Sequence, residues 1–313
     1  MKLSQLINQE SFLSHIEDAK SFKDSQGILL AQHLTKVDPK VFQKLYPDNV
    51  FLNSGLSIDN TGGLADTVKK VRVSAKGSFT DVSNRGGNKG LISLEGESDS
   101  IGVIGREATI EYTDDEIEKA KLGNYNLVEK LLGGIDEVYR QEIDEAIATG
   151  TSQNKGLLNY TGFASDSASA ITGLTGVQMY DAIATLIVDQ WNSVNNTNGY
   201  MADRVMLPTF AMNTLASTKW KEDTSEKSVL TVLKESFPSV QFLSSWRANK
   251  VGNVSVTACY SSNENGILVR IPQPLVIGKT VQQGSFGYRA DAKYRVAGID
   301  VAENKACRLL TGF

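Results

Sequence analysis

Histidine is nearly missing from this chain. Its 313 residues include two, His15 and His33. With none beyond residue 33, a Ser-His-Asp triad or a histidine-rich zinc site would have to recruit the N-terminal segment. Cysteine is equally scarce. Cys259 and Cys307 are the only two, far apart and without a CxxC, so there is no disulfide framework and the pair fits a reducing compartment. The opening stretch MKLSQLINQESFLSHIEDAK lacks the continuous apolar core of a signal peptide. No window approaches the ~18 consecutive apolar residues of a membrane helix. Excess positive charge is also absent. A net charge of -4 and a pI near 5.4 argue against nucleic-acid binding through global basicity. What remains is the composition of an ordinary soluble globular protein, 41% hydrophobic and 22% charged, long enough for two domains or one elaborate one.

Motifs that carry chemistry fail one by one. Gly278-Lys279-Thr280 matches the end of a phosphate loop, but Gln273 stands where the motif needs glycine, and a strand ending near Gly278 is the expectation. The glycines from Gly86 to Gly90 suit a hairpin tip better than an anion site. Carboxylates are dense from Glu111 to Glu145, yet they fall on a solvated helix face where acid–base catalysis is a poor fit. No metal site or cofactor site is visible. The weight moves to a structural or assembly role.

Periodicity organises the chain. Leu3, Leu6, Ile7, Phe12, Leu13 and Ile16 recur at helical spacing in an N-terminal arm. Val71, Val73 and Ala75 alternate with Arg72, Ser74 and Lys76, and a second run from Leu91 to Glu95 alternates on the way back. This predicts a long hairpin, thin in apolar content and marginal alone. Ile101 to Tyr112 reads as a strand. Thr113 and Glu116 have capping-box spacing, and Gly123 closes the helix they open. The next helix runs from about Leu127 to Ala148, roughly 33 Å long. Val128, Leu131, Ile135, Tyr139, Ile143 and Ile147 stripe one side. Gly133-Gly134 inside it suggests a kink or a close approach by another backbone.

Thr175 to Gln178 again has capping-box spacing before a helix ending near Val194. Arg204 to Leu207 reads as a buried strand, and Pro208 suits the first turn of the next helix. Glu226 to Phe237 reads as a helix stopped by Pro238. Strands dominate from Val254 onward, and Gly298 within RVAGIDV suggests a bulge or close backbone approach.

Charge is segregated. Glu111 to Glu145 holds eleven acids and four bases; Asp66 to Gly90 holds six bases and two acids. One reading has the lysines protecting an exposed ribbon from edge pairing. The other has the ribbon of one subunit covering the long helix of a neighbour. Candidate contact residues are then Lys69, Lys70, Arg72, Lys76, Arg85 and Lys89 on the ribbon, and Asp136, Glu137, Arg140 and Asp144 on the helix.

The order of these parts resembles the major capsid proteins of tailed bacteriophages, the Hong Kong 97 type. The resemblance rests on REATIEYTDDEIEKAKLGNYNLVEKLLGGIDEVYRQEIDEAIATG, KGLLNY, VMLPTFAMNTLAS and YRVAGIDVAENKACRLLTG. It implies an α+β Hong Kong 97-type capsid fold. Residues 1–65 would be the N-terminal arm and 66–100 the extended loop. Residues 101–156 would be peripheral domain with its spine helix, 157–280 the axial domain, and 281–313 returning strands of the peripheral domain. The implied role is structural and not enzymatic: self-assembly into pentamers and hexamers of an icosahedral head enclosing DNA, located in the virion and assembled in the bacterial cytoplasm. Implied partners are further copies of itself, scaffolding, portal or decoration proteins, and DNA held non-specifically, with no membrane. Lys76 and Lys89 lie where some relatives form covalent crosslinks. The alternatives are an encapsulin-like compartment around a protein cargo and a soluble enzyme with an unrecognised site.

Overall fold

A computed structural model describes residues 47–80, 91–123, 125–221 and 226–313. The expected helical arm up to residue 46 and the Gly86–Gly90 tip lie outside the described residues. The chain divides into two units, residues 1–45 with 115–127 and residues 46–114 with 128–313. In the first, helix α1 (Asp114–Leu122) starts directly behind Thr113, as the capping spacing predicts, and the Gly123 amide donates to Lys119 O to close it.

The second unit is built round a five-stranded sheet. Its strands are β5 (Ala164–Ser167), β6 (Arg204–Pro208), β7 (Gln241–Ser245), β8 (Val256–Tyr260) and β14 (Cys307–Thr311), in the order β5-β14-β8-β6-β7. Both faces are covered, so its central strands are apolar throughout. Val205, Leu207, Cys259 and Leu310 point into one core with the helices α3 (Gly176–Ser193), α4 (Thr209–Ser217) and α5 (Val229–Ser236). Met206, Ala258, Tyr260 and Leu309 point into the other. Thr175 and Gln178 form the expected capping box on α3. Helix α5 is shorter than the pattern predicts. Its first residues are held by a bridge from Lys219 to Ser228, and the helix begins where the Ser228 side chain accepts from the Thr231 amide. Pro208 ends β6 and sits at the N-cap of α4 rather than inside its first turn.

The second core carries the long helix α2 (Leu127–Ala148), found at its expected bounds. Beside it lies a sheet of β4 (Ile104–Thr113), β10 (Gln273–Ile277), β11 (Val281–Gln283) and β12 (Gly287–Val296). This sheet has period two. Ile110, Tyr112, Ala290, Ala292 and Tyr294 are buried, while Glu107, Thr109, Glu111, Arg289, Asp291 and Lys293 face outward. Tyr139 of α2 meets Tyr294 edge to face, with ring centroids 5.0 Å apart. A third sheet joins β1 (Ser57–Asp59), β9 (Ile267–Arg270) and β13 (Gly298–Val301).

The ribbon pairs β2 (Thr67–Gly77) with β3 (Ile92–Gly102), in register from Thr67–Gly102 to Gly77–Ile92. Ile101 to Tyr112, expected as one strand, is therefore two. Val103 is buried and its amide donates to Asp66 O at 2.8 Å, beside the last β2–β3 pair; from Ile104 the chain changes partner, β3 pairing with β2 and β4 with β12. Three other expectations about placement are corrected. β14 belongs to the five-stranded sheet and not to the sheet of β4. β10 belongs to the sheet of β4, although it falls before residue 280. A Cβ added at Gly133 or Gly134 would meet nothing within 4 Å, so no backbone approaches there among the described residues.

Candidate functional site

The long helix and the ribbon contribute the residues that the charge pattern singled out. The helix is fully buried only in its last two turns, at Ile143, Asp144, Ala146, Ile147 and Ala148. A buried helix end leaves carbonyls without partners. The KGLLNY stretch answers that need. Leu157 N donates to Ile147 O, Leu158 N to Ala148 O, and Asn159 Nδ2 to Thr149 O. Asn159 Oδ1 in turn accepts from the Gly156 amide at 2.7 Å. The turn thus seals the helix, and Leu157 and Leu158 plug the core beneath it.

The acids of α2 divide into two kinds. Asp136 pairs with Arg140 one turn on, at 2.9 Å, and both are half exposed. Glu137 accepts from Gln141 Nε2 at 3.0 Å. These residues remain at the surface. Asp144 is different and corrects the expectation: it is buried and faces its own chain. Its Oδ1 accepts from the amides of Phe51 and Leu52, at 2.7 and 3.1 Å, and its Oδ2 accepts from Arg247 Nε at 2.8 Å. Arg247 also donates to Gln141 O. The carboxylate therefore ties the incoming chain, α2 and the segment after β7 together.

The ribbon bases divide in the same way. Lys69 is exposed, and Lys76 pairs with Glu95 across the ribbon at 2.6 Å. Lys70 and Arg72 point at their own chain, a second correction. Lys70 Nζ donates to Asp300 Oδ1 and Val301 O, and Arg72 Nη2 donates to Val301 O. Arg270 bonds the other oxygen of Asp300 and also pairs with Asp59. Arg85 and Lys89 lie outside the described residues.

Sequence reasoning missed Asp300, Arg270 and Arg247. It also missed Glu142, which holds Arg106 at 3.2 Å and the Tyr294 hydroxyl. Burial, with the Glu142 carboxylate beside it, pushes that hydroxyl well above its ordinary pKa. Each of these residues stands alone in sequence, more than 30 positions from its main partner or on another strand, so no local pattern marks it. Among the described residues no group of acids, cysteines and histidines is arranged to hold a metal, and no helix is long and apolar enough to cross a membrane.

Two cores, a long helix over a peripheral sheet, and a projecting ribbon define a shell-forming protein of the Hong Kong 97-type capsid fold. The family model for the major capsid protein matches residues 90–313. The chain belongs to the major capsid protein family. It is similar to the capsid protein of Myoviridae phage XM1, with 37% identity over 90% of this chain and 98% of that one, and a TM-score of 0.81. The capsid of a native GTA particle shares the fold at 12% identity, covering 93% and 99% of the two chains, with a TM-score of 0.67. Mycobacterium phage Che8 does so at 15% identity, covering 88% and 96%, with a TM-score of 0.58. No curated protein matches. The chain is accordingly a structural protein of the virion and not an enzyme, and the compartment alternative gains no better support.

Proposed function

We propose that this chain closes into pentamers and hexamers of an icosahedral phage head around DNA. The observation that carries this is the 37% identity to the Myoviridae phage XM1 capsid across 90% of the chain. Residues 1–65 serve as the N-terminal arm and 66–100 as the extended loop. The peripheral domain takes 101–156 with its spine helix, together with the returning strands after 280. The axial domain takes 157–280. Sheet membership argues for moving two edges: β10 goes to the peripheral side and β14 to the axial side. The remaining surface contacts, Lys69, Asp136, Glu137 and Arg140, lie between neighbouring copies in this reading, whereas Lys76 is already paired with Glu95 across the ribbon. Scaffolding, portal and decoration proteins are the further partners, and assembly takes place in the host cytoplasm. With a net charge of -4, DNA is held by enclosure rather than affinity.

Size-exclusion chromatography with light scattering, followed by negative-stain microscopy, tests the proposal. Capsomers or megadalton shells are expected. A stable monomer or small dimer at all concentrations would overturn it.

A further inference from the structure

The register of the ribbon separates its side chains by face. Residues directly opposite each other in an antiparallel pair share a face. One face carries Lys70, Arg72, Ser74 and Lys76, opposite Asp99, Glu97, Glu95 and Ser93. The other carries Lys69, Val71, Val73, Ala75 and Gly77, opposite Ser100, Ser98, Gly96, Leu94 and Ile92. The charges are thus gathered on one side, where they pair across the ribbon at Lys76–Glu95 or reach the chain's own β13 from Lys70 and Arg72. The opposite side is nearly free of charge and apolar. Val71 and Val73 are each 64% exposed, Leu94 74% and Ile92 54%.

We infer that the ribbon docks through this apolar face onto a second copy of the chain, and that its charged face does not form the contact. This rests on the capsid reading above and adds to it which face meets the neighbour. Three observations support a second copy as the occupant. The bonds that Lys70 and Arg72 make to the chain's own body lie near the base of the ribbon and use its charged face. Each strand is eleven residues, so the ribbon reaches roughly 36 Å and carries Val73 to Leu94 beyond that base. The family to which the chain belongs is that of a shell built from many copies of one protein, so a heterologous contact made once is made by every subunit. A lone ribbon with an exposed apolar face is marginal in water, and covering that face is what would stabilise it.

The two native cysteines make a direct test possible. Both are buried, and burial pushes both thiols up in pKa, so neither competes for a reagent. A thiol placed by Val73→Cys or by the milder Ala75→Cys reports the apolar face, and one placed by Glu97→Cys reports the charged face. Reaction rates with a water-soluble disulfide reagent are compared before and after assembly, followed by sedimentation. The apolar-face thiols are expected to slow by about ten-fold or more in shells while the Glu97→Cys thiol changes less than about two-fold, because a buried contact excludes reagent and an open one does not. Protection of Glu97→Cys alone, of both faces equally, or of neither would overturn the face assignment. In parallel, Val71→Thr/Val73→Thr/Leu94→Thr, which keeps β-favouring residues, should raise the protein concentration needed for assembly by about ten-fold. Glu95→Gln/Glu97→Gln should leave it nearly unchanged. The reverse ranking counts against the inference. Failure of the unsubstituted chain to assemble at all would remove the capsid reading itself, and the inference with it.

Discussion

Lys70 Nζ stands 2.5 Å from Asp300 Oδ1, across 230 residues of chain. The pair is largely buried, with the two side chains 11% and 4% exposed. It fixes the base of the ribbon to β13. Asp300 also holds Arg270, so Asp300→Asn weakens the pairing of two cations at once. Breaking a buried pair from one side typically costs about 3–5 kcal/mol. Asp300→Asn is expected near the lower end of that range, because Arg270 keeps Asp59. Lys70→Met should cost less, about 1–3 kcal/mol, since Asp300 retains Arg270. Urea unfolding of the unassembled chain measures both. A midpoint unchanged from the original in both variants would show that the pair does not clamp the ribbon.

This pair also shows where the sequence stops being legible. The alternation of Val71, Val73 and Ala75 with Arg72, Ser74 and Lys76 is enough to read β2. The capping boxes and the apolar stripe of α2 are likewise local, and their elements appear where the spacing puts them. The destination of Lys70 is not local, because Asp300 belongs to a strand that meets β2 only in the folded chain. Asp144 is hidden for the same reason. Its neighbours Glu142 and Glu145 look alike in sequence, and only the fold brings the Phe51 and Leu52 amides to Asp144 beside Arg247. The apolar ribbon face was half visible. Each strand alone shows two or three apolar side chains, and only the register adds Leu94 and Ile92 to Val71 and Val73.

The two kinds of acid on α2 should separate in stability. Asp144→Ala removes the acceptor of two backbone amides and the partner of a mostly buried guanidinium. A loss of about 3 kcal/mol is expected, the lower end of the range for breaking a buried pair from one side, because Arg247 keeps Glu145 at 3.6 Å. Asp136→Ala removes a half-exposed pair with Arg140 and should cost no more than about 0.5 kcal/mol. Chemical denaturation of both variants settles the contrast. Similar losses in the two would contradict the assignment of Asp144 as a buried tie.

The glycines give a pair of opposite signs. Gly298 has φ +93°, and an added Cβ would lie 3.3 Å from Ala146 O of the long helix. Gly298→Val should destabilise by about 1–3 kcal/mol, through left-handed backbone strain and that contact. Gly133 sits mid-helix with open space around it among the described residues. Gly133→Ala should stabilise by up to about 1 kcal/mol, through helix propensity and a less flexible unfolded chain. Thermal unfolding of unassembled protein reads both shifts. A lower melting temperature for Gly133→Ala would mean that the helix needs its glycine for something other than space.

Shortening the ribbon separates folding from assembly. In the register, Ser74 stands opposite Glu95. Joining these two through an Asn-Gly turn, which suits a two-residue hairpin, removes residues 75–94. The shortened ribbon keeps Lys70, Arg72 and their bonds to Asp300 and Val301. It loses Leu94, Ile92 and the tip. The ties to Asp300 and Val301 are kept and the side chains removed from the apolar face are exposed, so unfolding of the monomer should shift by less than about 1 kcal/mol, the scale of a surface change. Assembly should nevertheless fail, because a closed shell repeats the missing contact at every subunit and small losses multiply over the symmetry. Light scattering measures the second outcome and circular dichroism in urea the first. Normal shells from the shortened chain would show that the outer ribbon is dispensable. A collapsed monomer would show that it belongs to the folding unit instead.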